Sequence, residues 1–150
     1  MRNSSEMQPT LIMGETHRDN RGEIRYFNSF KFENVVRMYQ IEPMDTEIIR
    51  AWQGHKQERK YFFPIVGRFL VNLIFPDQWI EPSRCSKVES FQINSKKSQI
   101  LDIPPGYING FRALELNSSL IVFSSSTVTE STKDDYRWPV DYFSEAIWHQ

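Results

Sequence analysis

The sequence has little of several features that mark common classes of protein. It contains one cysteine, Cys85, so no disulfide can form within the chain and nothing argues for an oxidising compartment. No stretch approaches the roughly 20 consecutive apolar residues that a membrane-spanning helix needs. Residues 1–10 are polar and lack the apolar run of a signal peptide. We therefore expect a cytoplasmic protein with no membrane partner.

An excess of charge of one sign is also lacking. Lys and Arg number 18 against 19 Asp and Glu, and the resulting net charge of −1 gives no reason to expect a nucleic-acid partner. Aromatic residues at 14% and charged residues at 25% are typical of a compact fold and exclude a disordered chain. A chain of 150 residues suits one domain and is too short for two ordinary ones. We expect a single domain over residues 1–150.

Short runs of strand-like sequence recur along the chain, whereas helical periodicity is scarce. The clearest run is Arg68–Phe75, in which every second residue from Phe69 is apolar. Turn residues separate the strand candidates, which span residues 23–30, 35–41, 47–52, 68–75, 88–93, 98–103, 107–114 and 119–124. This pattern indicates an antiparallel sandwich or barrel, and the last eight residues can form a short helix.

The stretch from Arg50 to Gly67 concentrates polar and ionisable side chains just before the clearest strand. If it is extended, alternation puts Gln53, His55 and Gln57 on one face. Arg50 and Gln53 are an odd number of residues apart, so both can reach one site only with a bulge or at a strand end. A row of hydrogen-bonding side chains beside a core strand indicates a site that lines a concave sheet.

A second informative stretch begins at the turn Pro104-Pro105-Gly106, where proline removes a donor and glycine permits a positive φ. Alternation after the turn places Tyr107, Asn109 and Phe111 on one face. Glycines on both sides of Asn109 suit the close approach of a ligand or of another backbone. The alternative is a tight hairpin in which the Asn109 amide satisfies a neighbouring backbone group.

Four short motifs occur in order along the chain. They are Asp19-Asn20-Arg21-Gly22, Arg50-Ala51-Trp52-Gln53-Gly54-His55, Lys60 seven residues before Gly67, and Ile103 to Phe111. Over about residues 11–143, the expected core, the sequence resembles the cupin branch of dTDP-4-dehydrorhamnose 3,5-epimerases and dTDP-4-keto-6-deoxyglucose 3,4-ketoisomerases. The resemblance implies an all-β double-stranded β-helix (jelly roll), usually a homodimer, that needs no metal or cofactor. It also implies a nucleotide-sugar ligand in the mouth of the barrel, and an epimerase or ketoisomerase of deoxysugar biosynthesis.

The resemblance also assigns roles to individual residues. Arg21 and Arg50 would contact the pyrophosphate or the sugar. Lys60 would lie beside the keto group, where it or Arg50 would stabilise an enolate. Gln53 occupies the place of the epimerase general base, and Asn109 that of a second histidine. Neither amide can act as a base near pH 7, so both are expected to bind substrate.

The acid–base pair of the relatives is therefore absent. His55 is the candidate base that remains near neutral pH, and its alternative role is that of a hydrogen-bonded structural histidine. Residues 122–127, where the relatives carry a tyrosine acid, contain no tyrosine. Tyr107, Tyr136 or Tyr142 are the candidate acids, and we place Tyr107 with His55 and Lys60 as catalytic.

Three further expectations follow. A metal site needs about three histidines and a carboxylate, but only His55 and Glu58 fall in the first motif, so no metal is expected. The aromatic segment 134–139 can close the mouth of the barrel, plug its end or pack on a second subunit, and we favour a structural role. A non-catalytic cupin that binds a nucleotide-sugar or glycan is the alternative function, which the missing histidine and tyrosine favour.

Overall fold

The computed structural model describes residues 8–32 and 34–149, most of which lie in short antiparallel strands or the turns between them. The strands are β1 (Thr10–Met13), β2 (Glu15–Asp19), β3 (Gly22–Tyr26), β4 (Arg37–Ile41), β5 (Ile49–Gly54), β6 (Lys60–Val66), β7 (Arg68–Ile74), β8 (Val88–Asn94), β9 (Gln99–Ile103), β10 (Ile108–Ala113), β11 (Ser119–Ser124) and β12 (Tyr136–Arg137). The helical segments are the 3-10 turn Ser95–Lys97, the helix α1 (Val128–Thr132) and the 3-10 turn Glu145–Trp148, which is the predicted short C-terminal helix.

The strands form two five-stranded sheets and a separate two-stranded hairpin. The order in one sheet, which we call the first sheet, is β1-β9-β6-β11-β4. The order in the other, the second sheet, is β12-β5-β10-β7-β8, and β2 pairs only with β3. The chain alternates between the sheets from β4 to β7 and again from β8 to β12. This connectivity confirms the predicted all-β jelly roll.

Strand β7 shows how the alternating pattern produces the core. Phe69, Val71 and Leu73 are fully buried between the two sheets, as the sequence predicts. Leu70 and Ile74 point to the opposite face of the second sheet and are buried as well. Burial on both faces means that another part of the chain covers the outer face of this sheet.

The C-terminal residues provide that cover. Trp138, Phe143 and Trp148 pack with Trp52 of β5 on the outer face, and the Trp52 ring lies 5.1 Å from that of Phe143 and 5.2 Å from that of Trp148. Gly110 allows the close packing, because a Cβ atom there would lie 2.9 Å from the Trp148 ring. Residues from Trp138 onward therefore cover the outer face of this sheet, whereas Asp135 and Arg137 of the segment 134–139 line a cavity.

Several elements differ from the sequence prediction, since β1, β2, β6, β12 and α1 lie outside the predicted strands. Strand β6 was not anticipated, because Lys60 and Pro64 interrupt its apolar pattern. Helix α1 was also missed; a capping box between Thr127 and Glu130 stabilises this short polar segment. Within the described ranges, no helix is long and apolar enough to cross a membrane.

Candidate functional site

Strand β5 carries a bulge that directs Arg50 and Gln53 to one cavity. Strand β10 pairs Asn109 with Gln53 and Phe111 with Arg50, so β5 takes three residue steps where β10 takes two. This is the bulge that the odd spacing of the two side chains requires. Between them, Trp52 points to the outer face of the sheet and joins the aromatic cluster there.

The resulting site consists of two adjoining cavities, which we call the Arg50 cavity and the Lys60 cavity and together the cleft. The Arg50 cavity has a volume of about 280 Å³ and is lined by β5, β10 and β12. The Lys60 cavity has a volume of about 230 Å³ and is lined by β4, β6, α1 and β12. Gln53 and Arg137 line both cavities, so these two side chains form the boundary between them.

The cleft is rich in positive charge. Arg50 and Arg137 line the Arg50 cavity, and Arg37, Lys60 and Arg137 line the Lys60 cavity. Asp135 is the acidic residue of the lining; its carboxylate pairs with Arg137 at 3.0 Å and accepts a hydrogen bond from Gln53 Nε2 at 2.9 Å. Although burial acts the other way, these hydrogen bonds hold the pKa of Asp135 below its ordinary value. The cleft is thus suited to a ligand with negative charge.

Glu58 lies beneath the Lys60 cavity, and its side chain is completely buried. Oε1 accepts hydrogen bonds from Arg37 Nη2 at 2.9 Å and from Ser124 Oγ at 2.6 Å. Oε2 lies 2.9 Å from His55 Nε2 and 3.6 Å from Lys60 Nζ. Burial raises the pKa of this carboxyl, but His55 and Lys60 outweigh that effect and hold the pKa of Glu58 at about 2.

Lys60 begins β6 and is only 4% exposed. Its Nζ donates a hydrogen bond to Gln53 Oε1 at 3.1 Å, which fixes the amine at the boundary of the two cavities. Burial lowers the pKa of the Lys60 ammonium to about 8; Glu58 opposes this shift and Arg37 adds to it. The Lys60 amine can therefore both gain and lose a proton near physiological pH.

His55 lies just after β5 and is buried. Its Nδ1 is 2.5 Å from the backbone oxygen of Asp134, and because a carbonyl only accepts, Nδ1 carries a hydrogen. Its Nε2 faces Glu58, and His55 lines neither cavity of the cleft. This is the geometry of the structural alternative considered for His55. No group of three His, Cys, Asp or Glu side chains in residues 8–32 and 34–149 could hold a metal ion.

Asp134 fixes the turn between β5 and β6. Its carboxylate accepts hydrogen bonds from the backbone N–H groups of Lys56, Gln57 and Glu58, at 2.7, 2.8 and 3.1 Å. The prediction that Gln57 shares a strand face with Gln53 is wrong, because β5 ends at Gly54 and residues 55–59 form this turn. The turn is what carries Glu58 under the cleft.

Tyr39 is a site residue that the sequence reasoning missed. It follows Arg37 by two positions on β4, and both side chains line the Lys60 cavity. The Tyr39 ring packs against the core, and the Arg37 guanidinium lies 5.0 Å from the ring centroid. Burial, together with the charge of Glu58, raises the pKa of Tyr39 to about 12. The alternation within residues 35–41 was the available signal, since it puts Arg37 and Tyr39 on one face.

The other sequence-predicted residues are divided between the cleft and the rest of the molecule. Asn109 lines the Arg50 cavity, and its Nδ2 donates to the backbone oxygen of Gln53 at 3.1 Å, so it satisfies a backbone group as the alternative proposed. Tyr107 lies in the core, with its ring 5.3 Å from that of Phe75, and does not line the cleft. Arg21 lies in the β2–β3 hairpin, where it binds Asp19 at 2.6 Å and lines a separate cavity.

The two remaining tyrosine candidates also lie outside the cleft. Tyr142 is buried in the outer aromatic cluster, and its hydroxyl donates to the backbone oxygen of Pro82 at 2.6 Å. The Tyr136 ring lies 5.0 Å from that of Trp79. The structure therefore brings Arg50, Gln53, Lys60 and Asn109 together around one cleft and leaves the other predicted residues elsewhere.

Comparison with solved structures identifies the class of fold. The chain is 22% identical to a mutant of the 3,4-ketoisomerase QdtA from Thermoanaerobacterium thermosaccharolyticum in complex with TDP-4-keto-6-deoxyglucose, over 92% of this chain and 93% of that one, with a TM-score of 0.68. It is 22% identical to dTDP-4-dehydrorhamnose 3,5-epimerase from Sulfolobus tokodaii, over 91% and 80% of the two chains, with a TM-score of 0.72.

A third similar structure is the RmlC epimerase of Mycobacterium tuberculosis, at 12% identity over 95% of this chain and 72% of that one, with a TM-score of 0.73. Neither the models of protein families nor the curated proteins gave a match. The resemblance predicted from the motifs is thus confirmed at the level of the fold, which is that of the sugar-nucleotide epimerases and ketoisomerases.

Proposed function

We propose that the cleft binds a nucleotide-linked 4-keto sugar and moves a proton at the carbon next to the ketone, as an epimerase or ketoisomerase. The main support is that Lys60, with a pKa of about 8, and Tyr39, with a pKa of about 12, line the same basic cavity. One group can accept a proton near neutral pH and the other keeps a proton that it can donate. The solved relatives with this fold include ketoisomerases and epimerases of such sugars.

Lys60 and Tyr39 divide the acid–base work in this proposal. The neutral Lys60 amine takes the proton from the carbon next to the ketone, and the electron pair moves to the ketone oxygen as an enolate. Arg37 and Arg137, which line the same cavity, stabilise the negative oxygen. Tyr39 then returns a proton to carbon, and exchange with solvent resets both side chains.

The Arg50 cavity holds the diphosphate of the ligand in this proposal. Arg50 and Arg137 line it, and the fork of an arginine side chain matches phosphate oxygens. Phe111 and Trp138 provide apolar surface in the same cavity. The QdtA structures in complex with TDP and a TDP-sugar support a nucleotide-sugar as the ligand class.

The roles expected from the sequence change in three respects in this proposal. The base is Lys60 in place of His55 and the acid is Tyr39 in place of Tyr107, because Lys60 and Tyr39 line the cleft. The enolate is stabilised by Arg37 and Arg137 in place of Lys60 or Arg50. The substrate contacts of Gln53 and Asn109 are retained. A contact between Arg21 and the ligand, a homodimer and a cytoplasmic location remain predictions.

A non-catalytic protein that binds a nucleotide-sugar or glycan is the second candidate. Gln53 favours it, because this amide occupies the place of the general base in the related epimerases. The amide is also held on both sides, by Lys60 Nζ at 3.1 Å and by the Asp135 carboxylate at 2.9 Å. A side chain held in this way suits binding as well as it suits catalysis.

Deuterium exchange separates the two candidates. The protein is incubated with dTDP-4-keto-6-deoxyglucose in D₂O, and deuteration at C3 and C5 of the sugar is followed by NMR. We expect exchange that is lost in Lys60→Met and strongly reduced in Tyr39→Phe. Lys97→Gln, which changes an exposed lysine outside the cleft, is the matched control and should exchange like the wild type.

Each other outcome has a definite meaning. Binding without exchange, measured by calorimetry, would support the non-catalytic candidate. Exchange that persists in Lys60→Met and disappears in His55→Asn would return the base to His55. Absence of both binding and exchange would overturn both candidates.

A further inference from the structure

Glu58 contacts the residues of the cleft without being part of its surface. Its side chain is fully buried and lines neither cavity, so it cannot touch a ligand there. It nevertheless binds Arg37 at 2.9 Å and lies 3.6 Å from Lys60 Nζ, and both of these cations line the Lys60 cavity. One carboxylate therefore accepts a hydrogen bond from one cation and forms an ion pair with a second at the floor of the cleft.

A buried histidine also contacts this carboxylate. The Nδ1 hydrogen of His55 is committed to the Asp134 carbonyl, and Nε2 lies 2.9 Å from Glu58 Oε2. Glu58 thus contacts His55, Arg37 and Lys60, and its carboxylate is the acidic group at the centre of the three.

We propose that Glu58 is a positioning residue, which holds the Lys60 amine at the floor of the cleft and sets the pH at which this amine loses its proton. His55 contacts Glu58 Oε2 in this arrangement and acts through it. The catalytic consequence rests on the function proposed above, whereas the effect of Glu58 on Lys60 does not. This gives a role to two buried ionisable groups that the acid–base steps do not use.

The other charged groups near Lys60 act in known directions. Arg37, from β4, is a like charge and favours loss of the Lys60 proton, while Asp135, near β12, is an opposite charge and disfavours it. Tyr39 and Arg137 line the same cavity. Glu58 forms an ion pair with Lys60, with 3.6 Å between Oε2 and Nζ, whereas Asp135 binds Arg137 and Gln53. Glu58 and Arg37 should thus shift the Lys60 titration in opposite directions.

The test is a titration that needs no substrate. The full chain is labelled with ¹³Cε-lysine, the Lys60 signal is assigned from its absence in Lys60→Met, and its shift is followed against pH by NMR. In Glu58→Gln we expect the midpoint to fall by about one to three pH units, because an opposite charge within reach is removed. In Arg37→Gln we expect it to rise. Glu115→Gln, which removes a surface carboxylate paired with Arg68, should leave it unchanged.

A Lys60 midpoint in Glu58→Gln that is unchanged or higher than in the wild type would overturn the proposal. If Glu58→Gln does not fold, the Arg37→Gln titration decides. A Lys60 midpoint in that variant that equals or lies below the wild-type value counts against the proposal. If the wild type catalyses deuterium exchange, the pH profile of this exchange should move in the same direction as the Lys60 titration in each variant. If the wild type shows no exchange, the proposed function fails, while the titration still decides the role of Glu58.

Discussion

Strand β5 separates two regions of this molecule that differ sharply in chemistry. On the outer face of its sheet, Trp52 lies in an aromatic cluster with Trp148 and Phe143 that the C-terminal segment closes off. On the cleft side, Arg50 and Gln53 line the Arg50 cavity together with the charged side chain of Arg137. Strand alternation sends Trp52 to the outer face, and the bulge in β5 brings Arg50 and Gln53 together on the cleft side.

The comparison shows that the two regions are held together by different forces. The outer cluster is stabilised by apolar burial, which is non-directional, and by close packing of rings, which tolerates little loss of volume. The region under the cleft is held by hydrogen bonds and ion pairs to Glu58, which are directional and depend on pH. Substitutions in the outer cluster should therefore change stability most, and substitutions at the cleft should change pH dependence and binding.

The largest effect is expected at Trp148, which is only 1% exposed. Trp148→Ala should lower the free energy of unfolding by about 3–5 kcal/mol, because it removes a large ring from a packed cluster. Urea unfolding measures this loss. Ile80→Ala, at a side chain that is 94% exposed, is the control and should change stability by about 0.5 kcal/mol at most. Similar losses of unfolding free energy in the two variants would contradict the stabilising role of the C-terminal residues that cover the outer face.

The second effect is a loss of unfolding free energy at acid pH, which we attribute to protonation of Glu58 beneath the cleft. The pKa of Glu58 is lowered from 4.5 to about 2 in the folded state, so this group contributes stability at higher pH. That contribution should disappear as the pH falls from about 4.5 towards about 2. Urea unfolding across this range should show a shallower decline in Glu58→Gln than in the wild type. An equal decline in both would show that Glu58 is not the origin of the acid sensitivity.

A smaller effect is expected at Asn109, on the cleft side. Asn109→Ala removes the hydrogen bond from Nδ2 to the Gln53 backbone oxygen, which is 3.1 Å long. The loss of one such bond should cost about 1 kcal/mol in the free energy of unfolding. Asn28→Ala, at an exposed loop position, serves as the control in the same denaturation assay. A loss of unfolding free energy in Asn109→Ala as large as that in Trp148→Ala would contradict the proposed difference in stability between the two regions.

The smallest effect is expected at Arg21, in the β2–β3 hairpin. Its side chain is largely exposed and pairs with Asp19 alone among the described acidic residues, so Arg21→Ala should leave the thermal unfolding midpoint unchanged. Differential scanning fluorimetry checks this. Calorimetry with TDP then sharpens the comparison, because a loss of affinity in the same variant would give the hairpin the ligand contact that the motif Asp19-Asn20-Arg21-Gly22 predicts.

The local features of the fold could be predicted from the sequence. The alternation in β7 identified the core strand, and the odd spacing of Arg50 and Gln53 identified the need for a bulge. The turn at Pro104-Pro105-Gly106 was evident from its residue types. Each of these is a property of a few neighbouring residues, which is what a single sequence displays directly.

The centre of the site could not be predicted in the same way. Glu58 was named only as a metal ligand to be excluded, because nothing near it in sequence indicates that Arg37 and Ser124 bind it. In the sequence, Tyr39 has the features of an ordinary strand residue. Its place in the site depends on the sheet order, in which β4 lies two strands from β6. The burial of His55 was also not evident, because its Nδ1 contacts the backbone oxygen of a residue 79 positions away.

The contacts of Asp134 have a consequence for the order in which this protein assembles. The turn between β5 and β6 obtains its hydrogen-bond acceptor from a residue 76 to 78 positions later in the chain. During synthesis, the three N–H groups of that turn must wait until residue 134 has been made. Contacts of such long range form slowly. The cleft should thus be among the last parts of the molecule to mature, after the sheets that flank it.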